Sequence, residues 1–220
     1  LAGCVAEIAN AHAAGLRRNC AYCAGVLFEL GGEAVAGQRE ALVAALCGVL
    51  RRREGGEGED GEWAEKDAGT RDNAASSAAR ALFAANGAVA RDARLGPPLM
   101  DALLAGVPLV EDFEECATAY GLGLAKLAEY ATEVPAAAER LGGVVAAAAR
   151  VAAEAAKAGR KGPQDEKADS KTGPKRETLA AVAASVAKLH AMDAAAVDAA
   201  AAGLPEDQKT ALASLVAGFR

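Results

Sequence analysis

Aromatic residues are scarce in this 220-residue chain, with Phe, Trp and Tyr together making 4%. There is one Trp, and Met and His number two each. Ligand pockets are usually lined by bulky apolar and aromatic side chains, so a large enclosed pocket is not expected. The two histidines, His12 and His190, show no HExxH, HxxxH or ExxH spacing, which excludes the common helix-borne zinc and di-iron sites. Both read as helix-face residues. GxSxG and Walker patterns are missing as well. The carboxylates sit in runs such as Glu111-Asp112 and Glu114-Glu115, which read as solvated faces or helix N-terminal charge. No enzymatic activity, metal or cofactor is expected.

Other absences narrow the field further. No stretch approaches 18 uninterrupted apolar residues, so no transmembrane helix is expected. No N-x-S/T sequon occurs, so N-glycosylation is not predicted. Basic residues are outnumbered: 24 Lys and Arg against 30 Asp and Glu give a formal charge of −6, which argues against nucleic acid as a partner. No run alternates β-branched or aromatic residues with polar ones, so strands are not expected.

What is abundant is alanine, more than a quarter of the chain, within a hydrophobic total of 52%. Alanine is the best helix former, because it loses no side-chain entropy and buries no polar group. It also lets helices approach at the near end of the usual 8–10 Å. The expected fold is all-α: a single elongated bundle over residues 1–220, with about three long helices in coiled-coil-like packing and shorter helices at one end.

The first helical stretch spans residues 2–53. Leu16, Cys20, Cys23, Leu27 and Leu30 are spaced 4, 3, 4, 3, the seam of a coiled coil. Gly31-Gly32 interrupts it, and either the helix runs straight through or it turns back as a hairpin. Residues 54–62 are acidic and glycine-rich, an exposed loop. Trp63 follows, covering one end of the core or making a contact at an exposed tip. A second helix runs over 65–94, with Ala75, Ala79, Leu82 and Val89 inward, before Gly96-Pro97-Pro98. A short helix over 99–105 follows. From Phe113 to Ala152 an unbroken 4,3 alternation predicts one helix over 109–158, bent at Pro135. Residues 159–177 lack aliphatics larger than alanine and read as a second flexible, exposed loop. Leu179, Val182, Val186 and Leu189 then stripe a helix ending near Gly203. Pro205-Glu206-Asp207 starts a short last one, with acids against the helix dipole.

Five cysteines remain: Cys4, Cys20, Cys23, Cys47 and Cys116. Cys20 and Cys23 form CxxC, but mid-helix and without the βαβ context of a redox motif or the second pair of a zinc site. All five are candidates for structural disulfides, with Cys47 or Cys116 reaching the CxxC thiols. An odd count leaves at least one over. Disulfides would put the chain outside the cytosol, and buried free thiols are the alternative.

An acidic, alanine-rich, cysteine-containing chain with long seams over 2–53 and 109–158 and a CAYC segment at Cys20–Cys23 resembles the surface proteins of African trypanosomes. The glutamic acid/alanine-rich coat protein is the nearest in character, with the variant surface glycoproteins and the haptoglobin–haemoglobin receptor as its relatives. The resemblance implies a coat protein at the extracellular face of the plasma membrane, packed against neighbouring copies and meeting host or vector proteins at its tip. It implies membrane attachment only through a GPI-type lipid anchor outside this sequence; the start at Leu1 suits a trimmed chain. Two alternatives follow: a receptor of the same architecture, with Trp63 and Tyr22 as anchoring aromatics, and a secreted plant-type helical inhibitor or allergen. A lipid-surface protein would need lysine-rich polar faces, against which the net acidity weighs.

Overall fold

The computed structural model describes residues 1–10, 13–51, 68–158 and 173–219. The described residues are all-helical. In order the helices are α1 (Ala2–Asn10), α2 (Ala14–Gly31), α3 (Arg39–Leu50), α4 (Ala68–Arg91) and α5 (Gly96–Gly106). A π-helical stretch, Ala117–Leu124, runs into α6 (Ala125–Tyr130), followed by α7 (Pro135–Ala138) and α8 (Leu141–Lys157). The chain ends with α9 (Arg176–Met192), α10 (Ala194–Ala202) and α11 (Glu206–Gly218).

These helices form two rows. In one, α2 packs on α4, α4 on the π-helical stretch, and that stretch and α6 on α9. In the other, α1 packs on α3, α3 on α5, α5 on α8, and α8 on α10 and α11. Successive helices mostly alternate between the rows, and α1–α2, α3–α4, α4–α5 and α9–α11 join them. Each helix therefore meets its neighbours in the row and those opposite. The result is a two-layer stack of helical hairpins. It differs from three long helices side by side. The longest element, α4, has 24 residues and is itself kinked.

Both expected 50-residue helices are broken. In the first, Gly32 takes a left-handed φ of 51°, and a 3₁₀ segment, Gly32–Gln38, carries the chain into α3. The turn at Gly31-Gly32 is thus real. Within α2 only Cys20 of the predicted seam is buried. Leu16, Leu27 and Leu30 are 48%, 44% and 80% exposed, and Cys23 is exposed. The buried stripe is Arg17, Cys20, Ala21, Ala24, Gly25 and Phe28. Small residues win this contest because α4 comes too close for leucine. Ser77 Oγ donates to the Ala21 carbonyl at 2.6 Å, and a Cβ added at Gly25 would lie 2.8 Å from the Ser77 Cα.

In the second, Val134 is extended (φ −117°, ψ 109°) and Pro135 opens α7, where its missing N–H costs nothing. The predicted bend is a full break. Seam residues Tyr120, Leu124, Leu127, Val134, Val145, Ala148 and Ala152 are nonetheless buried, because each short piece turns its apolar side to the same core. The expected helix over 65–94 is also interrupted. Ala84 is extended, and Ala85, Asn86 and Gly87 all have positive φ. Tyr130 fills the notch: its ring meets Phe83 edge-on at 5.1 Å, Arg91 lies 4.6 Å over it, and a Cβ at Gly87 would strike its hydroxyl at 2.4 Å. The last long helix breaks at Asp193, whose carboxylate accepts from Ala196 N at 2.9 Å and caps α10.

The expected loop over 54–62 lies outside the described residues, as do Trp63 and His12. Residues 159–172 of the second loop do too. Its far end departs from expectation: Gly173 and Pro174 are buried and α9 begins at Arg176. Arg150 on α8 ties α8 to the end of α5 within one row, donating to the carbonyls of Leu104 (2.6 Å) and Val107 (3.2 Å). Gly25→Val should destabilise the protein by about 1–3 kcal/mol, because the side chain must push α4 away. Thermal denaturation checks this, and a melting temperature equal to wild type would rule out the tight α2–α4 contact.

Candidate functional site

The connection from α5 to the π-helical stretch crosses the face of α4 and is anchored there by one carboxylate. Asp72, 2% exposed, accepts the backbone N–H of Val110, Glu111 and Asp112 at 3.0, 2.7 and 2.8 Å on a single oxygen. Three consecutive amides turned onto one anion form a backbone nest. Burial pushes the Asp72 carboxyl above its ordinary range, and the three N–H groups pull it back only in part. Tyr120 holds the same connection from inside: Leu109 N donates to its hydroxyl at 2.7 Å. Burial raises that hydroxyl's pKa far above the usual phenol range.

So held, residues 111–115 form one wall of a polar groove of about 560 Å³, with α2 as the other wall and α4 as the floor. Arg18 on α2 reaches across to Asp112 at 2.8 Å and Glu111 at 3.7 Å, and Asn73 Nδ2 donates to Asp112 at 3.3 Å. The hydrogen bond to Asp112 raises the Arg18 pKa, so its charge is secure. Further along, Arg80 joins Glu29 (2.7 Å), Glu115 (3.4 Å) and Thr118 (3.1 Å). Burial weakens the hold of Arg80 on its proton, and the two carboxylates more than restore it. The Arg80 guanidinium also sits 6.0 Å from the Tyr22 ring centroid, with Tyr22 left 41% exposed beside the groove. Around the groove, Glu29, Glu111, Asp112, Glu114 and Glu115 outweigh Arg18 and Arg80, which are already engaged. Among the described residues Glu114 forms no ion pair.

The cysteines do not pair. All five are free thiols, and none stands at disulfide distance from another. Cys20 is buried with Cys4 beside it, and its pKa is raised chiefly by burial. The expected staples to α2 fail because the helices turn these thiols elsewhere. Cys47 Sγ donates to the Pro98 carbonyl at 3.4 Å, Cys116 is buried against Tyr120, and Cys23 faces outward at the groove. His190 lies 3.3 Å from Asp198 on an exposed face. Among the described residues no group of three His, Cys, Asp or Glu could hold a metal ion. None of their helices is long and apolar enough to cross a membrane.

Sequence reasoning named Tyr22 but missed Asp72, Arg18 and Arg80. A signal for Asp72 existed: a charged residue two positions before the alanine- and serine-rich run from Ala74 to Ala79 needs a partner if its helix is buried. Its partner is backbone, which leaves no trace in side-chain spacing. No known protein family, curated protein or solved structure matches the chain.

Removing the Asp72 carboxylate leaves up to three partly buried N–H groups without their acceptor, each costing at most about 1–3 kcal/mol, so Asp72→Ala should be destabilising. The folded state also holds the Asp72 proton more tightly than the unfolded chain does. Its contribution is complete below the ordinary carboxylate range and is lost as pH rises through the folded value. Asp72→Asn cannot ionise and should lack that decline. Denaturant titrations from acid to neutral pH would show the wild-type-minus-Asn difference falling as pH rises; a constant difference would count against it.

Proposed function

We propose that this chain is a non-enzymatic helical scaffold that binds a partner protein through the α2–α4 groove, and that the partner supplies a basic segment. The observation carrying the reading is the double row of stacked helices, an architecture whose use is to present extended binding surface. The chemistry of the groove supports the partner's charge. A Lys or Arg side chain entering beside Tyr22 gains the face of an aromatic ring and the carboxylate of Glu114. The other acids along the wall attract basic chains from a distance. This develops the receptor alternative, in which Tyr22 was one anchoring aromatic.

The surface-coat reading draws on the same alanine-rich helices and acidic charge. It gains nothing from the broken seams or the free thiols. Surface biotinylation of intact cells carrying the full protein, with and without phospholipase treatment, tests it directly.

For the scaffold reading, fluorescence anisotropy with a labelled Lys/Arg-rich peptide is the test, with an Asp/Glu-rich peptide of equal length as control. The basic peptide should bind, and added salt should weaken it. Tyr22→Ala and Glu114→Lys should each lower affinity about tenfold, roughly 1.4 kcal/mol, without changing helicity. Equal binding of both peptides, or indifference to both substitutions, would overturn the assignment.

A further inference from the structure

The two cations held along the α2–α4 groove, Arg18 and Arg80, are both arginines, and each spans more than one acceptor. Arg18 reaches Asp112 and Glu111. Arg80 reaches Glu29, Glu115 and the Thr118 hydroxyl, and lies 6.0 Å from the Tyr22 ring centroid. A guanidinium can do this because its N–H donors fan out in one plane, whereas an ammonium concentrates its donors on one atom.

The groove keeps further acceptors of the same kind unfilled. Asn73, on the α4 floor, is only 4% exposed. Its Nδ2 donates to Asp112 at 3.3 Å, but its Oδ1 accepts no hydrogen bond among the described residues and is not sealed off from the groove. A nearly buried carbonyl oxygen left open in this way gains from a directed N–H. Glu114 on the wall and the exposed part of the Tyr22 ring stand on two other sides. These three groups come from three different elements. A guanidinium can lay its face on the ring and turn its edge to both oxygens; a single ammonium cannot serve all three. We infer that the groove selects arginine over lysine, with Asn73 Oδ1 and Glu114 holding the guanidinium edge and Tyr22 its face. This rests on the basic-partner reading above and narrows it, since a lysine segment would satisfy that reading and not this one.

The test is anisotropy with peptides of equal length and charge, their basic positions all arginine, all lysine or all dimethylarginine. Arginine should bind about tenfold more tightly than lysine. Dimethylarginine keeps the charge but loses edge donors, so it should fall to the lysine level. Asn73→Leu should remove most of the arginine preference and leave lysine binding nearly unchanged, with a melting curve recorded alongside. Equal affinity for arginine and lysine would overturn the inference and leave the basic-partner reading standing; binding of neither would overturn both. A preference that dimethylarginine retains also counts against it. So does an Asn73→Leu variant that weakens both peptides alike. The peptide series on the unaltered chain decides the question even where that variant does not fold.

Discussion

The distance between α2 and α4 is set by a glycine. At Gly25 there is no room for a Cβ, because the side chain and Cα of Ser77 already lie within 2.8 Å of the position. That contact, with the Ser77 hydroxyl bonded to the Ala21 carbonyl, brings two helices together more closely than leucines would allow. Much follows from it. Ala74, Ala75, Ala78 and Ala79 are all fully buried, since each fits a narrow gap. The leucines of α2 are left on the opposite face. Arg80 on α4 comes within reach of Glu29 on α2, and Arg18 on α2 within reach of Asp112.

The second constraint is electrostatic. A carboxylate buried among alanines is costly unless its charge is met. Asp72 is met by three backbone amides, and this converts a crossing connection into a fixed wall. The wall then carries Asp112 and Glu115 to the arginines of α2 and α4. Two layers of interaction result: a neutral inner one of small side chains and backbone, and an outer one of guanidinium–carboxylate pairs. The outer pairs hold the groove's shape, leave Glu114 without an ion pair among the described residues and leave Tyr22 partly exposed beside Arg80, which is why the groove can offer both a ring and a charge.

Much of the fold was legible. The absence of strands, the stripe Leu179–Val182–Val186–Leu189, the inward face of α4 and the start of α11 after Pro205 all match the structure. Several breaks were written locally as well. Asn86-Gly87 is a turn dipeptide at the kink of α4, and Asp193 is a helix-capping residue at the head of α10. Their signals were outweighed by alanine on both sides, which favours helix so strongly that a single interruption looks tolerable.

Composition and local chemistry by themselves determined that this chain is helical, that its helices pack closely, and where prolines and glycines divide it. They could not determine which face of α2 is buried. Hydrophobic periodicity ranks faces by size and apolarity, and on that measure Leu16, Leu27 and Leu30 outrank Ala21, Ala24 and Gly25. Tertiary structure reversed the ranking, because burial between two close helices selects for small volume. The same holds for Asp72 and the groove. Their partners lie 35 to 94 residues away and are partly backbone, so only the folding of one row onto itself brings them together.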